Sequence, residues 1–368
     1  MAKKTQISAL DFLRTGPAQY INRPLIVRQA GEYVAQWGKR ALISGGKTAL
    51  KVSEKHLTRS LAGAGVKTET LLFQGECSPA NIARIKTRSQ RFKADVIIGV
   101  GGGKSLDTAK QAAAELGLPA VCVPTIAATC AATTALTVVY DDHGVFLRYH
   151  IHPRNPSLVL VDPEIITRSP EIYLRAGIMD SLAKWYEGRA VWPSVKNPDV
   201  LSSSAFQLAD VLYQGHRKNA IGAVRSNAAH RVDDALIQTL DITILLTGMI
   251  QTLAKGTLFT GLAHPVHNGL TLMNESHDVL HGLKVGYGIM VQLLVQNCPR
   301  KEFDDALAFF RKLGLEPSLK GLKLPYDRTL VLRVAEKAAN DPDIGPLDFP
   351  HNTEAVAAAM VKLEARLA

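Results

Sequence analysis

The stretch 96–110, VIIGVGGGKSLDTAK, constrains this chain more than any other part of it. Ala94-Asp95-Val96-Ile97-Ile98 reads as a buried strand, and Ser105 to Ala112 reads as the start of a helix with Ser105 as its cap. Between them the glycines Gly101, Gly102 and Gly103 let backbone N–H groups approach a phosphate at the helix N-terminus, where the dipole favours negative charge. A plain strand-to-helix turn rarely needs three consecutive glycines. Two familiar phosphate motifs each fail on one residue. The triphosphate loop GxxxxGK[ST] requires a glycine where Ile98 stands, and the dinucleotide fingerprint GxGxxG requires one at Lys104. What survives is the physics they share: a strand, a glycine turn and an open helix N-terminus.

Around this unit, short β-type runs alternate with helical patterns. Strands are expected at 40–44, 69–73, 94–100 and 120–124, with helices near 47–64 and 79–92. This alternation predicts a mostly parallel sheet covered on both faces, with ligands at the carboxyl ends of its strands. Pro153, Pro156, Pro163 and Pro170 flank one last strand at 157–161. Beyond them the periodicity is helical, over 171–191, 200–216, 229–253, 303–314, 329–339 and 353–367. The expected organisation is an α/β, Rossmann-like domain over residues 1–162 and an all-α domain over 163–368, with a cleft between them.

At 368 residues the chain has length for two domains with ample cores. The formal charge of +10 raises the question of a nucleic-acid or membrane partner. Its basic residues are spread without a long run or interleaved aromatics, so neither partner is expected, while the field still attracts a phosphorylated cofactor or a carboxylate substrate. Asp11 interrupts the apolar run of the N-terminus, which argues against a signal peptide. The apolar region 236–253 is broken by Gln238, Asp241 and Gln251 and reads as an amphipathic core helix. Cys77, Cys122, Cys130 and Cys298 are scattered without a CxxC pair, as expected of reduced thiols in a cytoplasmic protein.

Ligand-type side chains stand in apolar company at three places in the helical half: Asp180 in AGIMDSLAKWYE, His264 and His267 in GLAHPVHNGL, and His277 and His281 in HDVLHGLKVGYG. None forms HExxH. Singly, each reads as a cap or a satisfied histidine. Together an Asp and two His make a mixed N/O set suited to zinc or ferrous iron.

The run GVGGGKSLDTAK, the stretch PTIAATCAATTALTVVY (124–140), the Asp180 segment, AHPVHNGLT and HGLKVGYG, in this order, resemble the metal-dependent alcohol dehydrogenases of the glycerol dehydrogenase type, the iron-containing alcohol dehydrogenase superfamily. The resemblance runs from GPAQYI (16–21) through the helices after residue 286. PTIAATCAA and the Asp180 segment look closer to the hydroxycarboxylate dehydrogenase A branch, which reduces 2-oxo acids. The resemblance implies a dehydroquinate synthase-like fold, an α/β cofactor domain followed by an α-helical metal domain, and homo-oligomeric assembly. It implies metal ligands Asp180, His264 and His281. His267, one helical turn from His264, is then expected to face the same cleft as a proton relay, and His277, which matches no motif, to lie on the surface. Lys184 stands where iron-dependent members place a fourth ligand, a histidine, so three-ligand zinc is expected over iron. Pro265 means that a helix starts or kinks beside His264.

For the cofactor, NADP or NAD, Gly101, Gly102, Gly103 and Lys104 are expected at the pyrophosphate, with Asp107 in the same helix. The resemblance implies Thr125, Ala128 and Thr129 near the adenosine end, and Leu136 and Val138 near the nicotinamide. Where NAD-dependent relatives carry an acidic residue at the adenosine ribose, this chain has Gly46 followed by Lys47, which favours NADP(H) at least as well as NAD(H). Glycerol dehydrogenases carry an aspartate at the position of Cys130; a neutral thiol here, with Lys184 beside a ligand, implies a small 2-oxo acid substrate in place of a polyol. The expected activity is hydride transfer between nicotinamide and a small alcohol/carbonyl pair, with glycerol dehydrogenase as the alternative. A dehydroquinate synthase-type lyase and a non-enzymatic binding module are the more remote readings.

Overall fold

The computed structural model describes residues 15–254 and 260–368. The N-terminal run with Asp11 lies outside the described residues. Two compact units form. One holds the described residues up to Ser169 together with Asn227–Thr252; the other holds Pro170–Ser226 and the described residues from Leu253 to Ala368.

The first unit is built on eight strands: β1 (Gln19–Asn22), β2 (Arg40–Gly46), β3 (Lys67–Phe73), β4 (Val96–Gly101), β5 (Ala120–Pro124), β6 (Leu136–Tyr140), β7 (Phe146–Ile151) and β8 (Leu158–Val161). Six make a parallel sheet in the order β1-β8-β5-β4-β2-β3. β4 and β8 are buried along their whole length, which is why they read as continuous apolar runs. Helices Lys47–Gly63, Pro79–Phe92 and Gly103–Leu116 connect the strands. The 79–92 helix starts at Ser78, whose Oγ accepts from the N–H of Asn81, with Pro79 at the first helical position. It ends at Lys93 in the left-handed conformation.

Three features depart from the sequence reading. β6 and β7 form an antiparallel hairpin where no strand pair is expected, and β1 adds an edge strand. Residues 227–252, expected in the all-α domain, belong to the first unit, and the helix expected from residue 229 starts at Asp234, after a non-helical stretch at 229–233. The stretch Asp234–Leu253 is long and apolar enough to cross a membrane by length and composition, yet 56% of its most apolar window is buried. Tyr20 and Asn22 donate to Asp241 Oδ1 at 2.9 and 2.8 Å, and Thr133 donates to the carbonyl of Ile244 at 2.6 Å, at a π-helical turn over Asp241–Leu246.

The second unit, among its described residues, is helical throughout. Its principal elements are Glu171–Val191, Val200–Ala228, Ala263–Leu270, His281–Val295, Arg300–Lys312, Arg328–Ala339 and Thr353–Leu367. Pro265 falls in the first turn of the 263–270 helix, where its missing N–H costs nothing, so a helix starts there and does not kink.

Candidate active site

The glycine turn closes β4. Gly101 has φ +139°, a conformation that side-chain-bearing residues rarely adopt, and Gly102 then leads into the 103–116 helix. No side chain caps that helix. Ser105, expected as the cap, lies inside the first turn and donates its hydroxyl to the carbonyl of Val100 at 3.0 Å. The strand carbonyl takes the hydroxyl, and the first N–H groups of the helix are left without a side-chain acceptor, as an anion site requires. Sheet order reverses between β4 and β2, and Gly45 of β2 pairs with Val100 of β4, so Gly46 and Gly101 end adjacent strands at this switch point. A Cβ on Gly46 would meet nothing within 4 Å, and Lys47 is exposed. Lys104 is exposed and ion-paired with Glu76.

The segment 125–138 lies against this turn. The N–H of Thr125 donates to the carbonyl of Gly101 at 3.1 Å, and a Cβ on Gly103 would sit 3.6 Å from Thr129 Oγ1. Ala128 is half-buried, as are Leu136 and Val138 on β6. Lys110, 3% exposed, donates to the carbonyls of Ala131, Thr134 and Leu136 at 2.7, 3.1 and 2.6 Å. Asp107 pairs with Lys110 at 2.9 Å and accepts the N–H of Val138 at 3.0 Å. Burial raises the Asp107 carboxyl despite Lys110. Asp107 therefore meets the expected cofactor segment through the backbone of Val138. Cys130 is buried at the start of a turn in which its carbonyl accepts from Thr133.

In the second unit three helices bring Asp180, His264 and His281 together. Their candidate ligand atoms all lie within 4.8 Å of one another. Asp180 Oδ1 stands 3.4 Å from His264 Nε2 and 3.1 Å from His281 Nε2. The glycines of HGLKVGYG make this approach possible. A Cβ on Gly282 would lie 1.9 Å from the carbonyl oxygen of Ala176, and one on Gly288 would lie 2.2 Å from that of Ala263. Both helix crossings are thus backbone-to-backbone, and His281 is drawn up to Asp180 and His264.

The carboxylates around this cluster call for a cation. Glu187, fully buried, accepts both the backbone N–H of His264 at 2.9 Å and its Nδ1 at 2.5 Å. Burial favours the neutral form of His264, but Glu187 and Asp180 hold it up at about 9. Asp180 is likewise buried, which opposes its charge, and the two histidines hold its carboxyl well below the usual range. With Nδ1 given to Glu187, His264 turns Nε2 toward Asp180, the geometry of a metal-ligating histidine backed by a carboxylate. Two imidazole nitrogens and one carboxylate oxygen, convergent, with the carboxylate buried and the imidazoles part-exposed, fit a divalent zinc or iron ion. Lys184, one turn after Asp180 and 8% exposed, has no ion-pair partner among the described residues, and its charge acts on His264. His267 does not reach Asp180; its Nε2 meets His281 Nδ1 at 2.9 Å and its Nδ1 meets Asn268 Oδ1 at 3.0 Å. His277 is exposed. Glu187 is the functional candidate that the sequence reading missed; its position two helical turns from Asp180, on the same face, was the available signal.

The family model described as iron-containing alcohol dehydrogenase matches residues 17–163. The chain is 34% identical over 333 residues to a glycerol dehydrogenase of Escherichia coli O6:H1, covering 90% of each chain. It is 38% identical over 285 residues to hydroxycarboxylate dehydrogenase A of Escherichia coli K12, covering 75% of this chain and 76% of that one. Among solved structures, a probable glycerol dehydrogenase from Sinorhizobium meliloti 1021 superposes with a TM-score of 0.85 at 30% identity, over 95% of this chain and 97% of that one.

Proposed function

Since the chain belongs to the iron-containing alcohol dehydrogenase family and is an oxidoreductase, we propose that it moves a hydride between a nicotinamide cofactor and a small 2-hydroxy acid/2-oxo acid pair. In this reading the turn Gly101–Gly103 binds the pyrophosphate through backbone N–H groups, and Lys104 adds a positive charge at its rim. Thr125, Ala128 and Thr129 contact the adenosine end and Leu136 and Val138 the nicotinamide. Lys110 and Asp107 keep that segment in place from below. Gly46 and Lys47 leave room and charge for a 2′-phosphate, so NADP(H) serves at least as well as NAD(H).

Asp180, His264 and His281 would hold a divalent metal, with zinc favoured by the three-ligand set. Such an ion, when bound, polarises a carbonyl or lowers the pKa of an alcohol. Glu187 orients His264 for this. His267, packed edge-on against His281 with ring centres 4.2 Å apart, is assigned the transfer of the proton to solvent. The buried surroundings of Asp180 limit water there, which strengthens every charge interaction in the site.

The observation that carries the acid reading is Lys184, a buried cation beside the ligand cluster with no acidic partner among the described residues. A substrate carboxylate would supply that partner. Cys130 agrees, because it lacks the charge that would repel one. The second reading, glycerol dehydrogenation, is favoured by the Escherichia coli O6:H1 relative. Steady-state kinetics on 2-oxo acids, glycerol and other diols with both cofactors, for the unaltered protein and Cys130→Asp, separates them. The acid reading expects 2-oxo acid reduction to dominate and to weaken in the variant. A wide preference for glycerol, or an unchanged substrate ratio, returns the assignment to glycerol dehydrogenase.

We propose a homo-oligomer and a cytoplasmic setting as well. The hairpin leaves Val145, Phe146, Leu147, Tyr149 and Ile151 between 40 and 58% exposed, a surface suited to a second copy. The cytoplasmic setting rests on the sequence, whose four scattered cysteines form no CxxC pair.

A further inference from the structure

A single-file hydrogen-bond chain runs from the ligand cluster to a loop far along the sequence. His281 Nδ1 meets His267 Nε2 at 2.9 Å, His267 Nδ1 meets Asn268 Oδ1 at 3.0 Å, and Asn268 Nδ2 meets Asp341 Oδ2 at 2.8 Å. Asp341 follows the 328–339 helix and is 8% exposed. That helix packs on the 263–270 helix so closely that a Cβ on Gly269 would lie 2.5 Å from the carbonyl oxygen of Val334. The contact carries Asp341 to Asn268. The other carboxylate oxygen of Asp341 accepts the N–H of Asp343 at 3.0 Å, so both oxygens act as acceptors.

We propose that Asp341 is a positioning residue that sets the tautomers of both histidines and so fixes His281 as a metal ligand. The inference rests on the proposed ligand set. An ionised carboxylate only accepts, so Asn268 must turn its NH₂ toward Asp341 and its carbonyl oxygen toward His267. That oxygen also only accepts, so the hydrogen of His267 sits on Nδ1 and its Nε2 is bare. The bare Nε2 needs a donor, which places the hydrogen of His281 on Nδ1. With an ion bound, His281 Nε2 has its lone pair free for it; without one, that nitrogen stands 3.1 Å from Asp180 Oδ1 and the two share a hydrogen bond. Each link follows from the one before, and only Asp341 has no freedom of its own. Without it the Asn268 amide can turn over, both histidines can exchange tautomers, and the lone pair on His281 Nε2 is no longer enforced. His264 is fixed separately, by Glu187.

The test is nitrogen-detected NMR of histidine-labelled, zinc-loaded protein, with zinc affinity measured by chelator competition on Asp341→Asn and Asp341→Leu. In the unaltered protein the Nδ1–H form is expected at His267 and at His281. Asp341→Leu should weaken zinc binding by up to about tenfold, the low end of the range for loss of a direct outer partner of a ligand, since Asn268 and His267 stand between Asp341 and His281. Asp341→Asn, which can still accept a hydrogen bond but can also donate one, should fall between. Asn268→Leu should equal the double variant Asn268→Leu/Asp341→Leu, because the two act through one chain. An Nε2–H form at His267 in the unaltered protein overturns the proposal whatever the variants do. So does an Asp341→Asn protein with zinc affinity and tautomers unchanged. If the chain works as argued but no zinc binds the unaltered protein, the ligand assignment fails and not this network.

Discussion

Replacing Glu187 with glutamine tests how much of the site's affinity for a cation is built into the protein outside the ligands. Glu187 is fully buried and holds His264 by two bonds, at 2.9 Å to the backbone N–H and 2.5 Å to Nδ1. Glutamine keeps the size and one acceptor oxygen but loses the charge. A hydrogen bond to a charged group is worth about 1.5–3 kcal/mol, against about 0.5–1.5 kcal/mol for a neutral one. The loss at His264 Nδ1 is therefore about 1–1.5 kcal/mol, or roughly five- to thirteenfold in zinc affinity. The amide NH₂ of the introduced glutamine adds a second effect of the same sign, since it has no ready acceptor at this position. Competition against a chelator of known affinity reads the change directly, and turnover at saturating zinc should recover much of its value. Alanine at the same position should do worse, leaving two buried donors unsatisfied at about 1–3 kcal/mol each. Zinc affinity of Glu187→Gln within twofold of the unaltered protein would refute the argument that this carboxylate tunes the ligand.

Two further outcomes are expected. Gly46→Asp, at a position where a Cβ meets no atom within 4 Å, should fold normally and shift the ratio of catalytic efficiencies from NADP(H) toward NAD(H); an unchanged ratio would remove Gly46 from the cofactor site. His216, fully buried with Nε2 on Ser181 Oγ at 2.8 Å, is pushed down by burial to about 3. The unfolded chain takes up this proton near pH 6.5 and the folded protein does not, so stability falls as pH drops from 6.5 toward 3. At pH 5 the loss is about 2 kcal/mol. Urea denaturation of the unaltered protein and His216→Gln at pH 7 and pH 5 should show the variant losing less, and equal losses would contradict it.

The parallel sheet was legible because its strands are buried on both faces and leave continuous apolar runs, as in Val96–Val100 and Leu158–Val161. The hairpin was not. β7, Phe146–Ile151, is exposed along nearly all its length, so no alternation marks it. β1 is four half-buried residues at the sheet edge and carries little signal. Periodicity marked 229–253 as helical, which holds from Asp234 on, but could not say which unit it would join, since that depends on partners such as Tyr20 and Thr133 that lie more than a hundred residues away. At the site, residue chemistry picked out Asp180, His264 and His281, which three separate helices bring together. Glu187 stood in the same quoted stretch as Asp180 and could have been found from helical spacing. Asp341 could not, because it sits in a loop whose position is set by the packing of Gly269 on Val334.

The central claim is that the chain reduces or oxidises a small substrate with a nicotinamide cofactor by means of a metal held at Asp180, His264 and His281. The most direct measurement follows the absorbance of the reduced cofactor during turnover, in protein whose metal content is determined by elemental analysis before chelation, after chelation and after zinc is restored. The expected result is turnover that disappears with the metal and returns with it in the unaltered protein, and that zinc does not restore in Asp180→Ala, while cofactor binding persists throughout. Full turnover in protein shown to be metal-free would contradict the account.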